Sequence, residues 1–149
     1  MITGLSHIGL SVVDLDRSIR FYQEAFGLEL IDQRTFGEQA DERYERVLGL
    51  PDARGKVATL RSGHLEIELF EFEHPRPRPK DPNCPVSDHG LSHFCIEVRD
   101  LDSEYARLKT LGARFHCPPQ HFPGEANVTY ARDPDGNVFE LLENLGALR

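Results

Sequence analysis

The sequence has few cysteines, little positive charge and no long apolar run. Cys84, Cys95 and Cys117 are an odd number without close spacing, which favours free thiols in a reducing compartment over a disulfide framework. Lys and Arg number 17 against 25 Asp and Glu, which gives a formal net charge of −8. This negative charge argues against a nucleic-acid backbone or an anionic membrane surface as a partner.

No apolar stretch approaches the roughly 20 residues that a membrane-spanning helix needs. The first residues also lack a basic segment followed by an apolar one, so the sequence predicts no secretory signal. We therefore expect no membrane partner and a cytoplasmic location. The 149 residues are enough for a single domain with a sizeable core.

One short motif occurs twice with the same internal spacing. Leu5-Ser6-His7 leads into a strand-like run that reaches Asp14-Leu15-Asp16, and Leu91-Ser92-His93 leads into a similar run that reaches Asp100-Leu101-Asp102. The first aspartate lies seven positions after the histidine in both copies. A duplicated module places its repeated residues at related positions, so two distant histidines can serve one site.

The hydrophobic pattern predicts a β-α-β-β-β order in each half. In the first half, Asp16 is the expected N-cap and Gly27 the expected end of the helix. A polar insertion over 36–53 contains a possible short helix from Asp41 to Leu48. In the second half, Asp133-Pro134-Asp135-Gly136 predicts a tight turn between the last two strands.

These patterns predict one α+β domain over residues 1–149, with two tandem βαβββ modules. The first module is expected over 1–72 and the second over 91–149. Residues 73–90 contain five prolines, which favours an extended linker.

Strand alternation places one His and one Glu per module on faces that also carry small or apolar side chains. His7 shares its face with Gly9 and Ser11, and Glu68 shares its face with Phe70 and Phe72. The second module repeats the pattern with His93, which lies with Cys95 and Glu97, and with Glu140, which lies with Val138 and Leu142.

A lone strand histidine is more often a hydrogen-bonded core residue, and a lone strand glutamate more often faces solvent or an arginine. A carboxylate between apolar neighbours is costly to bury without a partner, and metal coordination would offset that cost. Because the His and Glu recur in both modules, we favour metal binding by His7, Glu68, His93 and Glu140. We expect Glu66, Glu71 and Glu143 to face solvent or an arginine.

The chain resembles the vicinal oxygen chelate superfamily, which includes glyoxalase I, methylmalonyl-CoA epimerase, extradiol dioxygenases and drug-resistance proteins. The resemblance covers almost the whole sequence and is carried by motifs from both halves. They are His7-Ile8-Gly9-Leu10 with Asp14-Leu15, Phe21-Tyr22 with Phe26-Gly27-Leu28, Ile67-Glu68-Leu69, His93, and Tyr130 with Asp133-Pro134-Asp135-Gly136-Asn137 and Glu140.

The resemblance implies that the modules form a curved mixed sheet around a cleft, where residues matching His7, Glu68, His93 and Glu140 hold one divalent ion per site. Two imidazoles and two carboxylates suit Zn, Ni, Co, Mn or Fe(II), and the ligand types do not choose among them. The resemblance also implies a small-molecule substrate and a homodimer.

The family chemistry implies a glyoxalase-like isomerase, lyase or epimerase that removes a proton next to a polarised carbonyl of a small α-oxygenated substrate. We favour Glu140 as ligand and base, with Glu68 as the second acid/base. Tyr130 is a candidate hydrogen-bond donor and His121 a candidate proton shuttle, although Tyr130 could equally serve packing and His121 could lie at the surface. Glyoxalase I carries an arginine where this chain has Ser11, so glutathione is a poorly matched substrate.

Two alternatives remain open. An extradiol-type dioxygenase would use Fe(II) with a triad of His7, His93 and Glu140, and Glu68 as a fourth ligand weighs against it. A non-catalytic binding protein of the drug-resistance type would lack the ligand set that this chain retains.

Overall fold

The computed structural model describes residues 1–37 and 42–146. The chain divides into two compact units, residues 1–79 and 80–149, and their boundary falls within the proline-rich segment. Each unit contains a mixed sheet with helices, so the prediction of an α+β fold with two βαβββ modules is confirmed.

The first unit contains the predicted strands and helix together with the short helix of the insertion. Its elements are β1 (Ile8–Ser11), α1 (Leu15–Phe26), β2 (Glu29–Phe36), α2 (Glu42–Leu48), β3 (Arg54–Ser62) and β4 (Leu65–His74). The sheet order is β1-β4-β3-β2, with β1 parallel to β4 and the other pairs antiparallel. Asp41, the expected first residue of the short helix, lies outside the described residues.

The N-cap predicted for the first helix was wrong by two residues. Asp14, not Asp16, caps α1, since its side chain accepts a hydrogen bond from the backbone N–H of Arg17. Asp16 lies in the first turn, where a negative charge interacts favourably with the helix dipole. The predicted end is confirmed, because Gly27 adopts the left-handed conformation that a residue with a Cβ disfavours.

The second unit repeats the order of the first and adds one short strand. Its elements are β5 (Phe94–Glu97), α3 (Leu101–Thr110), β6 (Arg114–Phe115), β7 (Gln120–Phe122), β8 (Ala126–Arg132) and β9 (Val138–Asn144). The order β5-β9-β8-β6 matches that of the first sheet, while β7 pairs with β8. The sequence predicted a loop at β7, and the strand forms because Gln120–Phe122 pairs with the start of β8.

The predicted turn between β8 and β9 is confirmed. The Asp133 carboxylate is buried and accepts hydrogen bonds from the backbone N–H groups of Asp135 and Asn137. Gly136 has a φ of 85° and donates its N–H to the Asp133 carbonyl. These contacts fix the start of the strand that carries Glu140.

In each sheet the site glutamate lies between two fully buried residues that point to the opposite face. Ile67 and Leu69 on β4 are fully buried, whereas Glu68 between them is partly exposed. In the second sheet Phe139 and Leu141 are fully buried on either side of Glu140. The strand period of two therefore turns both glutamates to the face opposite these buried neighbours.

The short helix α2 covers part of the other face of the first sheet. Tyr44 and Leu48 pack against a cluster built on Phe36, and Phe70 and Phe72 of β4 join it. This packing explains why the polar insertion forms a helix, since a seven-residue helix has little stability of its own.

Candidate metal centre

The first unit brings His7 and Glu68 together. His7 directly precedes β1, and the parallel ladder pairs Gly9, two residues later, with Glu68 of β4. The Nε2 atom of His7 lies 3.3 Å from the Oε2 atom of Glu68. The side chains are 42% and 22% exposed, so a ligand can reach both.

The second unit brings His93 and Glu140 together at the equivalent register. His93 directly precedes β5, and the parallel ladder pairs Cys95 with Glu140 of β9. The Nε2 atom of His93 lies 3.1 Å from the Oε2 atom of Glu140. The sequence repeat is thus matched by a repeat of sheet register, which puts an imidazole and a carboxylate side by side in each unit.

Both distances fit two donors that bind one ion. Two donor atoms that each lie about 2.1 Å from a metal are about 3.0 Å apart at a donor–metal–donor angle of about 90°. They are about 3.4 Å apart at the tetrahedral angle. The His7–Glu68 and His93–Glu140 pairs fall within that range. The donor types, imidazole nitrogen and carboxylate oxygen, also suit the divalent transition metals.

Ser92 and Tyr130 position His93. The Nδ1 atom of His93 lies 2.9 Å from the Ser92 hydroxyl, and an Nδ1–H donated to that oxygen leaves the Nε2 lone pair available for a cation. The Tyr130 hydroxyl lies 3.2 Å from the same Nε2, and Tyr130 pairs with Glu140 across the β8–β9 ladder. Burial and the Glu140 charge raise the pKa of Tyr130, which keeps its hydroxyl protonated and able to donate.

Cys95 lies beside Glu140 and contacts its carboxylate. Burial, the charge of Glu140 and a hydrogen bond to Glu140 raise the pKa of the Cys95 thiol to about 12. The thiol therefore keeps its proton and can donate a hydrogen bond to the carboxylate. The first unit has no counterpart, because the equivalent position is Gly9.

The structure does not bring His121 to Glu140. Its Nδ1 atom lies 2.8 Å from the Asn127 side-chain oxygen, and its Nε2 atom lies 4.0 Å from Asp102 at the start of α3. Asn127 and Tyr130 are three residues apart on β8, so they face opposite sides of the sheet. His121 thus lies on the helix side, and we do not include it in the reaction proposed below.

Two glutamates that sequence reasoning assigned to solvent or arginine hold helix starts. Glu71 accepts a hydrogen bond from the Leu15 N–H at 2.7 Å and lies 3.6 Å from Lys56. Glu143 accepts from the Asp100 N–H at 2.8 Å. Glu71 and Glu143 each lie three positions after a site glutamate. This repeated spacing was the sequence signal that could have indicated that they bind helix starts. Glu66 does pair with an arginine, as expected, at 2.6 Å from Arg61.

Within residues 1–37 and 42–146, no group of three or more His, Cys, Asp and Glu side chains is arranged to hold a metal ion. In the same ranges, no helix is both long and apolar enough to cross a membrane.

Comparison with known proteins identifies the family. The model of the Glyoxalase/Bleomycin resistance protein/Dioxygenase superfamily matches residues 4–141. A lactoylglutathione lyase of Schizosaccharomyces pombe is 30% identical over 141 residues, which cover 93% of this chain and 46% of that protein. The chain thus spans less than half the length of that relative.

Two solved structures share the fold over nearly their full lengths. A glyoxalase family protein from Bacillus cereus has a TM-score of 0.88 at 26% identity, with 98% of this chain and 97% of that chain covered. A variant of the fosfomycin resistance protein FosX from Listeria monocytogenes, complexed with Mn(II) and 1S,2S-dihydroxypropylphosphonic acid, has a TM-score of 0.62 at 26% identity, with 99% and 94% covered. This protein belongs to the glyoxalase/bleomycin resistance protein/dioxygenase superfamily.

Proposed function

We propose that the protein is a divalent-metal-dependent enzyme of the glyoxalase type, a lyase, isomerase or epimerase that acts on a small α-oxygenated carbonyl compound. The observation that carries the proposal is the repeated His–Glu pair, found at the same ladder register in both units and with donor atoms 3.3 and 3.1 Å apart. Neither pair is expected from packing alone, because each glutamate lies on the face opposite its two fully buried strand neighbours.

In this proposal His7, Glu68, His93 and Glu140 hold one divalent ion per site. The proposal needs one His7–Glu68 pair and one His93–Glu140 pair. It holds whether the two pairs come from one chain or from two subunits of a homodimer. Two neutral imidazoles and two carboxylates balance the charge of a divalent ion, and they suit Zn, Ni, Co, Mn or Fe(II). Mn(II) in the FosX variant supports a divalent ion in a protein of this fold.

A divalent ion in this centre would polarise the substrate carbonyl as a Lewis acid. Glu68 and Glu140 supply the carboxylates that move the proton: one accepts it from the carbon next to the carbonyl, and a proton is then returned to the product. Tyr130 is positioned to donate a hydrogen bond to a substrate oxygen, because its hydroxyl lies beside the His93 Nε2 atom. The net reaction is an isomerisation or a lyase-type rearrangement.

The name of the fission yeast relative, lactoylglutathione lyase, supports the reaction class. It does not carry over the substrate, since the chain spans less than half of that protein. The substrate is therefore defined here by chemistry alone, as a carbonyl compound with an oxygen on the neighbouring carbon.

Metal analysis combined with a substrate panel tests the proposal. We expect about one divalent ion per four-ligand set in protein purified without chelator. We also expect turnover of a hemithioacetal or an α-hydroxy thioester. Glu68→Ala should lose the ion, whereas Glu66→Ala, a matched change on the same strand and face, should retain it.

Two outcomes would overturn the proposal in favour of the alternatives. Ring cleavage of a catechol with Fe(II), seen as a yellow product, would make the protein an extradiol-type dioxygenase. A protein that holds no divalent ion and still binds small molecules would be a binding protein of the drug-resistance type.

A further inference from the structure

The two site glutamates occupy equivalent positions but have different neighbours in the parallel ladders. Cys95 pairs with Glu140, whereas Gly9 pairs with Glu68. Each of these neighbours follows the site histidine by two residues and lies on the same strand face as the glutamate. Glu140 therefore has a thiol directly beside it, whereas Glu68 has no side chain there.

The Glu140 carboxylate is held from several sides. Its Oε2 atom lies 3.1 Å from the His93 Nε2 atom, and Cys95 stands directly beside it in the parallel ladder, where the thiol can donate a hydrogen bond to the carboxylate. Tyr130 stands across the antiparallel ladder and reaches the same imidazole. These contacts restrict the rotation of the carboxylate, and its side chain is 17% exposed.

The Glu68 carboxylate stands beside open space. A Cβ built on Gly9 would meet no atom within 4 Å, and the backbone of Gly9 lies outside the positive-φ region that favours glycine. Neither backbone strain nor a close approach therefore requires a glycine here. The missing side chain leaves free surface next to Glu68, on the face that carries His7.

We propose that the two glutamates have unequal roles. The carbon skeleton of the substrate lies over Gly9 beside Glu68, which accepts the proton, while the Cys95 thiol positions Glu140 as a fixed ligand. This inference rests on the proposed function and reverses the preference for Glu140 as base that the sequence alone suggested.

The proton step balances without any further reagent. The carbon–hydrogen bond next to the carbonyl breaks, its proton forms an O–H bond on Glu68, and the electron pair moves toward the carbonyl oxygen as an enolate. Glu68 then returns this proton to the former carbonyl carbon, while the hydroxyl proton of the first oxygen moves to the second oxygen and the first becomes the new carbonyl. Neither an oxidant nor a reductant is consumed.

Calorimetric titration of the metal-free protein with Zn²⁺ tests the role of Cys95. Cys95→Ala should weaken Zn²⁺ binding about 10-fold or more, as is typical when a group that orients a ligand is removed. Cys95→Ser should restore most of the affinity, because a hydroxyl also donates to the carboxylate. Gly9→Ala should leave the affinity unchanged.

Titration of the Zn²⁺-loaded protein with two hydroxamates tests the space over Gly9. Both probes bind through vicinal oxygens, and they differ in the size of the group behind them. Gly9→Ala should weaken benzohydroxamate about 10-fold more than acetohydroxamate, because the added methyl group overlaps the ring. Cys95→Ala should affect both probes equally.

The inference is wrong if Gly9→Ala binds both hydroxamates as the wild type does, or if Cys95→Ala retains full Zn²⁺ affinity. In either case the wild type still binds Zn²⁺ and the proposed function stands. A wild type that binds no divalent ion would instead defeat the proposed function, and this inference with it.

Discussion

The two units carry the same His–Glu pair in surroundings that differ in polarity. In the second unit Ser92, Cys95 and Tyr130 form hydrogen bonds with the pair. In the first unit Gly9 stands beside Glu68, and Phe70 follows on the same strand face within an aromatic cluster. The two units share the sheet register that creates the pair and differ in the residues around it.

In the proposed function, this difference corresponds to a division of labour between the two His–Glu pairs. The second unit has the hydrogen bonds that fix ligands in place. The first unit has the free surface and the apolar side chains that a substrate can contact.

The largest difference is expected between Glu68→Gln and Glu140→Gln. With a saturating divalent ion, Glu68→Gln should lower kcat by roughly 10²- to 10⁴-fold, the usual effect of losing a general base. Glu140→Gln should mainly weaken ion binding and lower kcat less. Steady-state kinetics at several metal concentrations measures both, and a larger kcat loss in Glu140→Gln at saturating metal would contradict the assignment.

A smaller effect is expected from Tyr130→Phe. Loss of one hydrogen bond near His93 corresponds to about 1 kcal/mol, or roughly a fivefold loss of kcat/KM. The matched change Tyr105→Phe, on helix α3 against Phe115, should leave kcat/KM unchanged. Equal activity of the wild type and Tyr130→Phe would remove Tyr130 from the site.

The smallest effect is expected on stability, from the glutamates that hold the helix starts. Hydrogen bonds from the Asn127 side chain and the Asp100 N–H lower the pKa of Glu143 below its ordinary value of 4.5. A lowered pKa stabilises the fold above the unfolded-state pKa, and this contribution is lost as the pH falls through the folded-state value. Glu143→Gln should therefore lower the Tm at pH 7, and the gap to the wild type should close below about pH 4.5.

Glu71→Gln is the corresponding change in the first unit, where the carboxylate receives the Leu15 N–H. It should also lower the Tm at pH 7. Thermal unfolding of both variants and the wild type across pH measures these Tm differences. If the Tm difference between Glu143→Gln and the wild type stays the same at acid pH, the charge of the Glu143 carboxylate does not have this role.

Local sequence patterns predicted much of the fold. The period of two separated Glu68 and Glu140 from their buried strand neighbours, and turn chemistry located the bend at Asp133. The repeat also contained the information for the correct N-caps, since the first aspartate of each Asp-Leu-Asp, Asp14 or Asp100, caps its helix.

The contacts that the sequence did not reveal depend on the pairing of distant strands. The Cys95–Glu140 contact exists because β5 lies parallel to β9 at one register. Glu71 and Glu143 reach helix starts 56 and 43 residues away, which no local pattern describes. His121 faces the helix because it pairs with Asn127 through the short strand β7.

The most direct test of the account is the metal content of His7→Ala and His93→Ala beside the wild type. The imidazoles belong to different units, and each lies within 3.3 Å of its glutamate. Elemental analysis should find about one divalent ion per four-ligand set in the wild type and a loss of that ion in both variants. Full retention of the ion in either variant would contradict a centre built from both pairs.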